Sequence, residues 1–559
     1  MRVAQAIGVA LAELGVDRVF GVVGSGNFEV TEELRQRGAR FVPARHEGGA
    51  ATMADAYARV GGGVTGVGRV GVVSVHQGCG VTNALTGVTE AAKSGTPLLV
   101  LAADTGTGSI RSNFRIDQGG LATAVGAVAE RVFSPGTAVT DTARAYRRAL
   151  VERRTVVLNL PLDVQASEVP AEAAAVPPAS RLRWPLPAAE SVAELADLLA
   201  RAQRPVFIAG RGARIAGARE SLERAAEACG ALLATSAVAR GLFAGNPWSL
   251  DVSGGFASPL AAELITAADV VVAWGCGLNM WTTRHGRLLG SGATVVQVDL
   301  DPDAIGAHQP VELGVLGDVD ATASALQAEL ERLGRSAGYR DPELRGRIAR
   351  EVRWRDVPYD DAGAGVGDEA RIDPRTLSIG LDDRLPAERT VSVDSGNFMG
   401  YPSMFLSVPD ADGFCFTQGF QSIGLGLSTA IGAALARPDR LPVAALGDGG
   451  AMMSIAELDT VVRLGLAMVV VIYNDAAYGA EVHHFAPEGY ALDTVTFPET
   501  DVAAIARGFG CDAATVRGEA DLEALDTWLH GPRGRPLVLD AKITSDSPAW
   551  WLAEAFRGH

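Results

Sequence analysis

The 559-residue chain reads as an α/β protein of three doubly wound parallel-sheet blocks, and three observations predict this. Short β-branched apolar runs of strand length alternate with longer stretches of helical period, the pattern of strand-helix-strand units. Several runs end on glycine where a strand would turn into its helix, and 66 glycines are available for such turns. Two stretches without sustained apolar period, 164–187 and 338–367, read as linkers and divide the chain. Domains are therefore expected at 1–165, 188–335 and 370–546, with a C-terminal tail at 547–559.

Composition narrows the function classes. Apolar residues make up 48% and charged residues 21%, the balance of a folded soluble chain. No segment approaches the ~18 uninterrupted apolar residues of a membrane span. Residues 1–24 run straight into amphipathic helix and strand without a small-residue cleavage site, so a cytoplasmic protein is expected. A net charge of −17 argues against general nucleic-acid binding, which needs a basic face. Five cysteines with no Cys-x-x-Cys pair indicate neither a disulfide framework nor a zinc site.

Taken in order, the first block places strands at 18–23, 70–75, 98–102 and 155–160. The second opens on the helical AAESVAELADLLARAQ and continues with the strand PVFIA, which runs into Gly210-Arg211-Gly212 with Gly217. That turn loosely resembles a dinucleotide turn, with Asp299 and Asp301 at a later strand end as candidates for a ribose contact. The third begins with the helix PRTLSIGLDDRL and the strand TVSVDSG and closes with RPLVLDAKI. Adjacent Trp550 and Trp551 read as a tail packed on a neighbouring surface.

Residues 441–485 carry the arrangement with the clearest chemistry. LPVAAL has strand length, and Gly447-Asp448-Gly449-Gly450 follows where the helix begins. Helical spacing over 451–463 offers Met453, Leu458, Val461, Val462 and Leu464 for a buried stripe. A β-branched run at 468–473 then ends on Asn474-Asp475. Two neighbouring parallel strands thus deliver Asp448 and Asp475 to one sheet edge, where open α/β sheets bind ligands. Paired hard oxygen donors there suit Mg²⁺, and glycine amides at a helix N-terminus suit a diphosphate. Gly-Asp-Gly alone is an ordinary surface turn; the second strand end gives it meaning.

This pattern resembles the metal and diphosphate motif of thiamine-diphosphate-dependent enzymes, in the group of acetolactate synthase, benzoylformate decarboxylase and pyruvate decarboxylase. Asn474-Asp475 stands where that family has Asn-Asn. The resemblance implies Asp448, Asp475 and the Ala477 carbonyl as metal ligands, with Gly447, Gly449, Gly450, Tyr478 and Gly479 around the diphosphate. Two further segments agree. Arg45-His46-Glu47 before a small-residue helix resembles the segment carrying the family's activating glutamate, so Glu47 is expected at the aminopyrimidine N1′. In Gln421-Ser422-Ile423-Gly424, Ile423 falls where a bulky apolar residue bends the cofactor, and the Gln421 carbonyl would receive its 4′-amino group. Order along the chain then implies a pyrimidine-binding domain, a transhydrogenase-like middle domain and a diphosphate-binding domain.

Substrate contacts are expected from Ser25, Gly26 and Asn27 after the first strand, from His76 and from Gln118. Glu481 matches a glutamate near the reacting carbon, with a solvated helix acid as its bland alternative. A hydrogen-bonded core histidine is the bland alternative for His76. His483 and His484 lack the third ligand of a metal site. The implied activity is thiamine diphosphate- and Mg²⁺-dependent decarboxylation of a 2-oxo acid, pyruvate by default, to an enamine that is ligated to a second carbonyl acceptor. Alternatives are a non-ligating decarboxylase, an acyl transferase to phosphate resembling sulfoacetaldehyde acetyltransferase, and a non-catalytic cofactor-binding relative. FAD in the middle domain, known from the synthases, is unsupported, because Gly277-Leu278-Asn279-Met280 replaces the segment that would hold it. A homodimer or homotetramer is implied, since the family holds the cofactor's two ends on different subunits.

Overall fold

The computed structural model describes residues 1–61, 68–178, 183–334 and 338–555. Three six-stranded sheets are present. The first contains β1 (Arg18–Gly21), β2 (Arg40–Pro43), β3 (Gly71–Val75), β4 (Leu98–Asp104), β5 (Val128–Arg131) and β6 (Thr155–Pro161), in the order β2-β1-β3-β4-β6-β5. The middle sheet contains β7 (Pro205–Ala209), β8 (Leu232–Thr235), β9 (Ser249–Val252), β10 (Val270–Trp274), β11 (Thr294–Asp299) and β12 (Leu313–Leu316), ordered β12-β11-β10-β7-β8-β9. The third contains β13 (Arg389–Val393), β14 (Phe414–Phe416), β15 (Leu441–Gly447), β16 (Val469–Asn474), β17 (Asp512–Val516) and β18 (Leu537–Lys542), ordered β14-β13-β15-β16-β18-β17. Neighbouring strands pair in parallel, as the near-continuous apolar runs of β3, β4, β7 and β16 require when both faces are covered.

The first and third sheets share one apolar core. Helix Glu47–Arg59 packs on helix Gly426–Ala436 through Gly49, which faces Ser428, and through Met53 and Ala56, which face Gly432. Small residues let the two backbones approach closely. A Cβ at Gly432 would lie 2.1 Å from the Met53 carbonyl oxygen.

Several sequence expectations are corrected. The first strand stops at Gly21 rather than reaching 23, because the chain turns there into a loop tied down by Asn27. The helix expected over 451–463 is two helices, Asp448–Ser454 and Glu457–Arg463. Leu458 and Val461 are buried, but Met453 is 56% exposed, since its turn faces the Gly424 loop rather than the core. The stretch 338–367, read as a linker, contains helix Pro342–Glu351, capped by Asp341 and docked through Leu344 and Ile348. One turn of apolar spacing was hidden there among charged residues. Gly210 and Gly212 serve close packing: a Cβ at either would lie within 2.7 Å of the Gly275 backbone. Trp551 is buried and donates to the Asn397 carbonyl at 2.8 Å, so the tail packs on the third domain. Residues 556–559 of the tail lie outside the described residues. Among the described residues no helix is long and apolar enough to cross a membrane.

Candidate functional site

Two clusters of functional side chains form, one at the carboxyl edge of each terminal sheet. In the third domain β15 and β16 pair with Gly447 opposite Tyr473, so Asp448 and Asn474-Asp475 leave the sheet side by side. Asp448 opens helix Asp448–Ser454. Burial pushes both carboxyls above the ordinary carboxylate range, and the Asp448 charge pushes Asp475 up further. Two crowded carboxyls of this kind are a donor set for a hard divalent cation, which would relieve their repulsion. Among the described residues no three His, Cys, Asp or Glu are grouped for a metal, so other oxygens must complete the coordination of an ion here. The Ala477 carbonyl suits this, because among the described residues no hydrogen bond ends on it.

The loop between these donors is held by Asn474. Its Oδ1 accepts from the Ala476 amide at 3.1 Å and its Nδ2 donates to Asp540 at 2.9 Å. Ala476 is thereby kept at φ +55°, a left-handed conformation uncommon outside glycine. The neighbouring glycines make room: a Cβ at Gly449 would lie 2.7 Å from the Tyr478 ring, and one at Gly479 2.4 Å from Asp475 Oδ2.

Asp394 is a site residue that sequence reasoning missed. It follows β13, is fully buried, and accepts from the amides of Ser395, Gly424 and Leu425 at 2.8 to 3.2 Å. It thus fixes the turn that presents Gln421, at φ +63°, Ser422 and partly buried Ile423. Burial outweighs those donors and pushes its carboxyl up to about 6. A carboxylate closing the strand TVSV was the available signal.

In the first domain Glu47 is the first residue of its helix, and its Oε2 accepts from Asn83 Nδ2 at 3.0 Å. Gly80 lies between Glu47 and His76: a Cβ there would be 3.6 Å from Glu47 Oε1 and 3.3 Å from the His76 Cβ. Ser25 Oγ lies 3.4 Å from His76 Nε2, and the Phe114 ring meets the imidazole edge-on with centroids 5.0 Å apart. Loops after β1, β2 and β3 therefore bring Ser25, Glu47 and His76 together.

Asn27 and Gln118 are spent inside the domain. Asn27 is fully buried, accepts from the Gly24 amide at 2.8 Å and donates to Val22 O and Ser74 Oγ. Gln118 accepts from the Gly78 amide at 2.8 Å and donates to Ala103 O and Asn159 Oδ1. Gly26 is packed against the Gln77 side chain. Glu481 is exposed on helix Gly479–Phe485. Two residues beyond it, burial lowers the pKa of His483, whose buried Nε2 has no hydrogen-bond partner among the described residues. Among the described residues no hydrogen bond or ion pair joins Glu47, Ser25 or His76 to the Asp448 and Asp475 centre.

Three family models match the chain in order: the thiamine pyrophosphate enzyme N-terminal TPP binding domain over residues 1–125, the central domain over 192–326, and the C-terminal TPP binding domain over 394–541. The chain is a thiamine pyrophosphate enzyme. It is 31% identical to a probable 2-ketoarginine decarboxylase of Pseudomonas aeruginosa, over 95% of this chain and 92% of that one. It is 29% identical to a sulfoacetaldehyde acetyltransferase of Alcaligenes xylosoxydans xylosoxydans, over 97% and 92%. Against the acetolactate synthase isozyme 2 large subunit of Escherichia coli the identity is 27%, over 99% and 97%. The two TPP-binding matches contain the two clusters, Glu47 and His76 in one and Asp448, Asp475 and Ile423 in the other. Both TPP-binding domains of the family are therefore present in this thiamine pyrophosphate enzyme, each with one of the two clusters.

Proposed function

We propose that this enzyme decarboxylates a 2-oxo acid, pyruvate by default, and ligates the remaining two-electron donor fragment to a second carbonyl, as an acetolactate-synthase-like carboligase. The observation that carries the ligation reading is the likeness to an acetolactate synthase over nearly the whole chain. The grouping of Ser25, His76 and Glu47 on one sheet edge supports the proton transfers and, taken alone, would equally serve release of an aldehyde.

Bound thiamine diphosphate would supply the electron sink for loss of CO₂. Asp448, Asp475 and the Ala477 carbonyl would hold Mg²⁺ together with diphosphate oxygens, over the Gly447, Gly449 and Gly450 backbone and beside Tyr478 and Gly479. Ile423 would press the cofactor into its bent form, and the Gln421 carbonyl would take its amino group. Glu47 would hold a proton at the pyrimidine N1′. The His76 imidazole, backed by the Ser25 hydroxyl, would move a proton to or from the substrate oxygen, with Glu481 as a second proton donor. Asn27 and Gln118 would fix the loops that aim these groups. A homodimer or homotetramer would join the Glu47 cluster of one subunit to the Asp448 cluster of another.

A second reading, acyl transfer to phosphate, is supported by the acetyltransferase relatives. The deciding experiment incubates protein, thiamine diphosphate and Mg²⁺ with a panel of 2-oxo acids, with and without aldehydes or phosphate, and reads CO₂ and products by mass spectrometry. A coupled hydroxyketone or acetohydroxy acid supports ligation, and an acyl phosphate formed only with phosphate supports the second reading. Free aldehyde alone would replace both by simple decarboxylation. Glu47→Gln should keep the diphosphate contacts and lose turnover by roughly a hundredfold or more.

A further inference from the structure

The residue before Glu47 is gripped by the other half of the cofactor machinery. Glu457, the first residue of helix Glu457–Arg463, is 3% exposed. Its Oε1 accepts from two consecutive backbone amides of the first domain, Arg45 at 3.0 Å and His46 at 3.1 Å. Its Oε2 accepts from Thr460 Oγ1 at 2.6 Å. Two successive N–H groups converging on one oxygen form an anion nest, which fixes the backbone torsions of the residues that build it. Here those residues are the turn between β2 and the helix that Glu47 opens.

The same helix holds that turn at two more points. Asp459 accepts from Arg45 Nε at 2.6 Å and from Arg463 Nε at 2.5 Å, and Arg463 donates to the Pro43 carbonyl at 2.8 Å. The arginine pairs are exposed at the guanidinium and contribute little by themselves. Glu457 differs. It is buried, and among the described residues its carboxylate has no cationic partner within ion-pair distance, so its hydrogen bonds go to the backbone that aims Glu47. Gly49 is needed for this fit, because a Cβ there would lie 2.6 Å from Glu457 Oε1. Only Ile455 and Ala456 separate helix Glu457–Arg463 from helix Asp448–Ser454, which begins on the proposed metal ligand.

We propose that Glu457 is a positioning residue for Glu47: it locks the turn at Arg45-His46 so that the Glu47 carboxyl meets its partner in register, and it ties that turn to the segment that carries Asp448. This rests on the proton role given to Glu47 above. A group held about 1 Å out of place typically loses around a hundredfold in rate without losing ligand binding.

The test uses the full-length protein with Glu457→Ala, Glu457→Gln and Gly49→Ala, beside Glu47→Gln. Amide hydrogen exchange of the 43–47 segment is read without cofactor, and affinity for thiamine diphosphate, its C2-proton exchange on the protein, and kcat and KM are read with it. Glu457→Ala should speed exchange of the Arg45 and His46 amides and lower kcat and C2-proton exchange by roughly tenfold to a hundredfold, with KM and cofactor affinity within about threefold. Gly49→Ala should do the same from the other side, while Glu457→Gln, which keeps an acceptor oxygen, should recover most of the loss. Should Glu457→Ala not fold, the other two variants decide. Unchanged amide exchange and kcat in every folded Glu457 and Gly49 variant, with Glu47→Gln inactive, would overturn the clamp alone. Full turnover in Glu47→Gln would overturn the role of Glu47 and the clamp's purpose with it.

Discussion

Gly432→Ala sets helix propensity against packing, and the structure decides the sign. Alanine in a helix interior is favoured over glycine by about 1 kcal/mol, so propensity alone predicts a more stable protein. Gly432, however, faces helix Glu47–Arg59, and its Cβ would lie 2.1 Å from Met53 O and 2.9 Å from the Ala56 Cβ, against 3.4 Å for ordinary contact. The obstructing atom is a backbone carbonyl, which no rotamer change removes. The two helices must therefore separate by about 1 Å, and a gap of that size forfeits up to half of each dispersion contact along the interface. Overpacking typically costs about 1–3 kcal/mol, and a backbone clash belongs at or above the top of that range. The net expectation is a loss of about 2 kcal/mol, read by calorimetry as a melting temperature lower by roughly 4–8 °C for a cooperative unit of 150–250 residues. Turnover should fall too, because the displaced helix begins on Glu47. A melting temperature equal to or above that of the parent would refute the packing argument.

Three further outcomes follow from particular groups. Asp394, fully buried and pushed up to about 6, contributes stability that is whole below about pH 4 and lost as pH rises through 6, on the order of 3 kcal/mol. Asp394→Asn should flatten that part of the melting profile of the cofactor-free protein, and equal slopes would count against it. Mg²⁺ with thiamine diphosphate at about a hundred times Kd should stabilise the protein by about 2.7 kcal/mol, and Asp448→Ala should abolish that shift in thermal melts without destabilising the cofactor-free protein. A full shift in the variant would remove Asp448 from the metal site. Asn27→Ala leaves the Gly24 amide and the Ser74 region short of buried partners and should cost about 2–4 kcal/mol in denaturant unfolding. A raised KM with unchanged stability would instead return Asn27 to the substrate.

Much of this was legible locally. The parallel strands β3, β4, β15 and β16 follow from apolar runs whose side chains are buried on both faces, a property of a few consecutive residues. The pairing of Asp448 with Asp475 followed from strand-helix-strand geometry, since neighbouring parallel strands end at one edge. Helix Pro342–Glu351 was not legible, because only Leu344 and Ile348 mark its buried face among charged residues. The break between Ser454 and Glu457 carries no glycine or proline to announce it.

By itself, then, the sequence determined the three α/β blocks and the delivery of Asp448 and Asp475 to one sheet edge, because period, turn chemistry and strand-end position are short-range properties. The cofactor and the roles expected of Glu47 and His76 came instead through resemblance to a family. Only the tertiary structure decided how each polar side chain spends its hydrogen bonds. Asn27 and Gln118 are consumed holding loops, Asp394 holds the Ile423 turn, and Glu457 reaches the amide of His46, 411 positions earlier in the chain. A buried polar group must find its partners wherever the fold places them, and partners so distant leave no local pattern to read.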